Sequence, residues 1–280
     1  MAGLALSGAA EIDSVRVQDM LRTLHFQQLK SLHYYRSPME AITIGEPAVT
    51  FGYNKIALSG QEENLFVVVV RGTDPSDLHD YLTDAASVFG AFSVSAENVQ
   101  SELESYMIRT TGCTLDQLKA QHNVFFVTGH SLGGAVSNLL CDRLRVYSNS
   151  AIFGYTFAAP RSTYNSQQKG FTLYNILNSE DRVPLLLSAQ SLRNGSDKWF
   201  CRKDYPYNFN NKFMTLTGKN LDNVMNSPWV HDAWNKFLYG HDTATYMAYL
   251  LCNNGAQDTW KYKIGMASFK CPVDVDVYSS

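Results

Sequence analysis

The 280-residue chain has no apolar run of about 18 residues, so no helical span of a bilayer is encoded. It lacks a basic excess: 23 Lys and Arg stand against 26 Asp and Glu, a formal charge of −3. A nucleic-acid binder neutralises phosphates with clustered cations, so that class is excluded as the principal role. No C-x-x-C pair occurs among Cys113, Cys141, Cys201, Cys252 and Cys271, which argues against a zinc site. Their number is odd. One disulfide within the last three, or free buried thiols throughout, both remain open. There is no internal repeat and no low-complexity tract. With 45% apolar residues, the chain is not disordered.

The N-terminal AGLALSGAA has no preceding Lys or Arg and is followed by Glu11, so it makes a poor secretory signal. It reads as a frayed tail on a chain sooner cytoplasmic than secreted. A single sequon, Asn194-Gly195-Ser196, carries little weight.

What is present has the pattern of an α/β domain. Residues 14–35 carry Val17, Met20, Leu21, Leu24, Leu29 and Leu32 at roughly helical spacing. Residues 48–58 and 65–70 read as a hairpin joined by the polar SGQEEN. The second of these strands holds four consecutive valines, which predicts a central strand buried on both faces. Helical patterns follow at 97–109 and 114–121, then a strand at 123–129 and a helix at 132–147. Strands at 151–158 and 171–177 complete the alternation. Together these predict one domain over 1–280, a mostly parallel central sheet with helices on both faces. Residues 188–235, rich in Asn, Ser, Tyr, Phe and Trp, read as an irregular segment packed on the sheet. Residues 242–252 are helical in pattern, and 258–278 are not assigned.

The most informative segment is Gly129-His130-Ser131-Leu132-Gly133-Gly134. G-x-S-x-G has chemical meaning only where a strand turns sharply into a helix, and an apolar run precedes it here while an amphipathic one follows. The turn projects the Ser131 hydroxyl, and Gly129 and Gly133 leave room for a tight strand–helix crossing. The helix N-terminus supplies dipole and free N–H groups for a developing oxyanion.

A serine nucleophile needs a base and an acid, which in this fold type follow in the order acid, then His. Downstream lie two histidines, His231 and His241. His241 stands between Gly240 and an apparent helix and is the favoured base. His231, among aromatics, is the alternative. Asp181 follows the strand 171–177 and is the favoured acid, with Glu180 as its neighbour and substitute. The strand 65–70 ends in Arg71-Gly72-Thr73-Asp74, so Thr73 is the candidate second oxyanion donor beside the Leu132 N–H.

These motifs, in this order, resemble the class 3 (fungal-type) lipase family of α/β-hydrolases. The resemblance rests on Arg71-Gly72-Thr73, the Asp80-Tyr81-Leu82-Thr83-Asp84 segment, the elbow at 129–134, and Thr156-Phe157-Ala158-Ala159-Pro160-Arg161. It continues through the 178–184 segment around Asp181, and through His241 with Tyr246. Two positions depart from the family pattern: Tyr81 replaces Trp, and Ala158 replaces Gly. The resemblance implies an α/β-hydrolase fold and a serine carboxylic-ester hydrolase with Ser131, Asp181 and His241 as triad. Thr73 and Leu132 would form the oxyanion hole, and no cofactor or metal would be needed. It further implies a lid over 75–90, a lipid or other ester as substrate, and transient contact with a lipid interface. Acylglycerols lead, and phospholipid or feruloyl esters remain alternatives within the family. A non-catalytic scaffold is the reading from a different class; intact Ser, Asp, His and Thr speak against it.

Overall fold

A computed structural model describes residues 2–58, 60–73, 85–167, 171–178, 181, 183–185, 191–202, 241–243, 246–247, 250, 261–264, 267–270 and 275–279. The chain opens with helices α1 (Ala2–Ile12) and α2 (Ser14–Thr23), strand β1 (Gln27–Leu32) and helix α3 (Pro38–Thr43). Strands β2 (Val49–Leu58) and β3 (Gln61–Val70) form a hairpin. Helices α4 (Ala85–Thr111) and α5 (Leu115–Ala120) lead to strand β4 (Asn123–His130) and helix α6 (Ser131–Arg143). Strands β5 (Ala151–Phe157), β6 (Thr172–Asn178) and β7 (Ser196–Arg202) follow. A small β8–β9 hairpin (Lys261–Ile264, Ala267–Lys270) precedes β10 (Val275–Ser279).

One eight-stranded sheet has the order β1-β2-β3-β4-β5-β6-β7-β10. The pairs from β3 to β7 are parallel, and the edges are antiparallel. The valine run of β3 explains its central place. Val68 and Val70 join the core formed with Phe92, Ala96, Val99 and Leu103 of α4 and Leu132, Val136 and Leu140 of α6. Val67 and Val69 face the other way, onto Leu6, Ala9 and Ala10 of α1 and Val17 and Leu21 of α2. A strand buried on both faces has no polar side to keep, so its sequence shows no alternation.

Several expectations needed correction. The N-terminal stretch is not a frayed tail but helix α1, with Leu4, Leu6 and Ala10 at 1% exposure or less. Its small residues let the backbone approach the sheet: a Cβ on Gly3 would lie 3.0 Å from Thr128 Oγ1. The helix expected over 14–35 ends at Thr23. Asp13 caps its start, accepting from Arg16 N at 2.7 Å, and the chain turns at His25, whose φ is +65°. Leu29 and Leu32 belong instead to β1, which pairs with β2. Edge pairing outweighed a helical spacing that simply ran on past the turn. The hairpin turn is shorter than SGQEEN, because pairing continues to Leu58↔Gln61 and Gly60 takes φ +82°. The 188–235 segment is not wholly irregular, since its Ser196–Arg202 stretch is β7, paired with β6 and β10. Its strand-mate comes from the unassigned 258–278, so local pattern had no access to the pairing.

Residues 75–84 of the expected lid lie outside the described residues, as do His231, Glu180 and the aromatic stretch 203–240. Residues 85–90 begin α4. Cys113 and Cys141 are free thiols; the possible disulfide among the last three cysteines falls outside what is described. The sequon's Asn194 is buried, its Oδ1 accepting from Gln167 N at 2.8 Å, a poor place for a glycan. Among the described residues no helix is long and apolar enough to cross a membrane.

Candidate active site

The carboxyl ends of neighbouring parallel strands converge on one edge of the sheet, where open α/β sheets form their sites. β3 delivers Thr73, β4 delivers Ser131, and β6 delivers Asp181. Register fixes their proximity: Val70 pairs with Gly129, and Phe157 pairs with both His130 and Ile176.

Ser131 sits at the β4–α6 elbow with φ +53°. A non-glycine residue in that region costs about 1–3 kcal/mol, so neighbouring structure must hold it there. The clamp is made of close backbone crossings. A Cβ on Gly129 would strike the Gly133 carbonyl. One on Gly133 would lie 2.5 Å from Arg71 O and 2.6 Å from Val70 O. One on Gly72 would lie 2.6 Å from His130 O. These glycines let β3, β4 and α6 meet at van der Waals distance. His130 precedes α6 as its N-cap without a side-chain capping bond, so the first helical N–H groups, Leu132 among them, stay available.

Three buried side chains form a chain of hydrogen bonds. Ser131 Oγ is 2.8 Å from His241 Nε2, and His241 Nδ1 is 2.9 Å from Asp181 Oδ2. All three residues have 0% exposure. A carboxylate only accepts, so Nδ1 carries the proton and Nε2 is left to accept from the serine hydroxyl. Asp181 is held independently of His241. Val183 N donates to Oδ1 at 2.9 Å, and Tyr246 OH donates to Oδ2 at 2.8 Å. The same Tyr246 oxygen accepts from Asn178 N at 2.9 Å, tying the acid to the end of β6. Burial raises the Tyr246 phenol well above its ordinary pKa, and Asp181's charge and hydrogen bond add to this. It therefore stays protonated and remains a donor.

The structure thus brings Ser131, Asp181 and His241 together. Thr73 is also fully buried, and its Oγ1 has no hydrogen-bond partner among the described residues. A buried hydroxyl without a partner costs free energy unless something accepts from it, which suits a group awaiting a developing oxyanion.

Two contributors escaped sequence reasoning, Arg193 and the His130–Glu11 pair. Arg193, 6% exposed, donates Nε to Ala159 O at 2.8 Å, reaches Pro184 O, and pairs with Asp197 Oδ2 at 2.8 Å. It clamps the turn just after Asp181 to the end of β5. Burial lowers its pKa, partly offset by Asp197, and it remains a cation. His130, which is buried, and Glu11, which is half-buried, form a second pair, with Nδ1 and Oε1 2.5 Å apart. Burial depresses the His130 pKa, but the Glu11 charge and hydrogen bond outweigh it, aided by Asp181 and by a backbone bond involving His241; the net direction is upward. The 119-residue gap between these partners left no signal in the sequence. Ala158, where the resembled family carries Gly, has φ +53°. The backbone there keeps the shape a glycine would favour.

Residues 67–191 match the family model described as Lipase (class 3). Solved structures similar to the chain include Rhizomucor miehei triacylglyceride lipase, at 20% identity over 71% of this chain and 77% of that one, TM-score 0.47. Lipase II from Rhizopus niveus is similar at 17% identity over 71% and 77% of the two chains, TM-score 0.42. Lip2 lipase from Yarrowia lipolytica is similar at 18% over 65% and 68%, TM-score 0.38. No curated protein matches the sequence significantly.

Proposed function

We propose that Ser131, His241 and Asp181 are the nucleophile, base and orienting acid of this chain, whose residues 67–191 match the class 3 lipase family model. The chain is a lipase-type serine ester hydrolase of α/β-hydrolase fold. Its substrates are lipid esters, and we assign acylglycerols as the leading class. The observation that carries the triad reading is the unbroken buried path from Ser131 Oγ through His241 to Asp181, at 2.8 and 2.9 Å.

The mechanism follows from that path. Ser131 Oγ attacks the ester carbonyl carbon while its proton passes to His241 Nε2. The carbonyl π-bond becomes an oxyanion, which accepts from the Leu132 N–H and from Thr73. Collapse expels the alcohol, which takes the proton from His241, and leaves an acyl-Ser131. Water, deprotonated by the same imidazole, attacks the acyl carbon and releases the carboxylic acid and the free serine. Asp181 holds the Nδ1–H tautomer and stabilises the imidazolium that forms at each proton transfer. Ser131 has 0% exposure, so substrate entry requires displacement of what covers it. The stretch 75–90 is our candidate for that cover.

A fluorophosphonate probe tests the nucleophile. It is expected to label Ser131 alone. Ser131→Ala is expected to lose labelling and p-nitrophenyl ester turnover while keeping its melting temperature. Labelling of another residue, or turnover surviving in Ser131→Ala, refutes the assignment. Turnover of a short-chain triacylglycerol below and above its solubility limit tests the cover: a rate jump on aggregation supports it, and a smooth saturation curve refutes it.

A further inference from the structure

The N-terminal helix does more than cover one face of the sheet. Its penultimate residue, Glu11, reaches three of the four segments that build the site, those carrying Thr73, Ser131 and His241. Oε1 lies 2.5 Å from His130 Nδ1, on the residue before Ser131. Oε2 accepts from Thr243 Oγ1 at 3.3 Å, two residues after His241. The Glu11 carbonyl accepts from Arg71 Nη2 at 3.2 Å, two residues before Thr73. The carboxylate also packs on Gly72, where a Cβ would stand 3.1 Å from Oε1. The His130 ring in turn lies on the His241 ring, centroids 4.7 Å apart, and meets Tyr246 edge-on at 5.8 Å.

The anchor behind Glu11 is firm. Leu4, Leu6 and Ala10 of the same helix are buried, and Ser7 Oγ lies 3.1 Å from Thr128 Oγ1 on β4. The His130 side chain is 2% exposed, so its contact with Glu11 is shielded from solvent competition.

We propose that Glu11 is a positioning residue of the hydrolytic centre, holding the Thr73, Ser131 and His241 loops in mutual register through Arg71, His130 and Thr243. It touches no reacting atom. Its contribution is to keep the His241 ring and the Ser131 hydroxyl within attack distance, where displacement by about 1 Å can cost roughly 100-fold in rate. The proposal rests on the triad reading above.

The test compares Glu11→Ala, Glu11→Gln and Thr243→Val with the full-length wild type. Steady-state ester hydrolysis, fluorophosphonate labelling rate and thermal melting are measured on each. Glu11→Ala is expected to lower kcat and the labelling rate together, roughly 10- to 100-fold, with KM changed less than about 3-fold. Glutamine keeps an acceptor for His130 and offers an amide N–H to Thr243, so Glu11→Gln is expected to recover kcat to within about 5-fold of wild type. Thr243→Val removes one arm only and is expected to fall between. Full activity in Glu11→Ala overturns the proposal, as does a Glu11→Gln variant as slow as Glu11→Ala. Should Glu11→Ala not fold, the Glu11→Gln and Thr243→Val rates decide: wild-type kcat in Thr243→Val with a slow Glu11→Gln overturns the proposal. Ser131→Ala is the separate control. Its retained turnover would sink the triad itself, whereas an inactive Ser131→Ala beside a fully active Glu11→Ala sinks only the role given to Glu11.

Discussion

Replacing Tyr246 by Phe separates the support of the acid from its chemistry. The change removes one oxygen atom from a site with 0% exposure and leaves the ring in its packing among Leu4, Phe157 and Ala158. Two bonds are lost: the 2.8 Å donation to the Asp181 carboxylate and the 2.9 Å acceptance from Asn178 N. The first is charge-assisted, worth about 1.5–3 kcal/mol, and the second is an ordinary bond of about 1 kcal/mol, so a total near 2–4 kcal/mol is expected. At roughly 2–4 °C per kcal/mol for a chain of this size, the melting temperature should drop by about 5–15 °C. The rate should suffer far less. Asp181 keeps Val183 N on Oδ1 and His241 on Oδ2, so the imidazole retains its tautomer. The expected fall in kcat is about 10-fold or less, against about 10⁴-fold for Asp181→Asn, which reverses the tautomer. Differential scanning calorimetry and ester hydrolysis at saturating substrate read the two effects. A melting temperature within 1 °C of wild type, or a Tyr246→Phe enzyme as inactive as Asp181→Asn, would refute this partition.

Two further outcomes follow from the same geometry. Thr73→Val keeps the volume but removes the partnerless Oγ1; kcat should fall roughly 100- to 1,000-fold with KM little changed, Thr73→Ser should restore most of it, and an unaltered kcat would remove the hydroxyl from the oxyanion site. The His130–Glu11 pair carries a pH signature. Because the His130 pKa is raised on folding, its stabilisation is present below about pH 6.5 and disappears as pH rises through the raised value. The melting-temperature gap between wild type and Glu11→Gln should therefore narrow from pH 6 to pH 9, and a gap that widens would contradict the assigned ion pair.

Much of the architecture was readable in the chain. The valine run, the apolar stretch into Gly129 and the amphipathic helix after it fixed a central strand and an elbow, because burial on both faces and a close crossing each demand particular residues. Asp181 and His241 were the favoured acid and base, beside Glu180 and His231, since few acids follow a strand end and only two histidines lie downstream. Helix α1 was missed because its signal is weak. It has no acidic first turn, no basic last turn, and small residues whose use is close approach to β4 rather than a broad apolar stripe. β7 was missed because its partners are β6 and β10, far apart in sequence.

The sequence by itself determined the chemistry on offer: a serine at a glycine-flanked turn, an acid and a histidine in workable order, and a Thr at a strand end. Such requirements are local, set by backbone strain and side-chain type, so short segments carry them. Only the tertiary structure decided how those groups are held. The Asp181–Tyr246 bond spans 65 positions, the Ser131–His241 bond 110, and the His130–Glu11 contact 119. Contacts of that range are made by strand register and helix docking, which depend on how complementary surfaces meet and not on any one segment's preference. That is why an unremarkable stretch at the N-terminus, read first as a loose end, lies against the candidate active site.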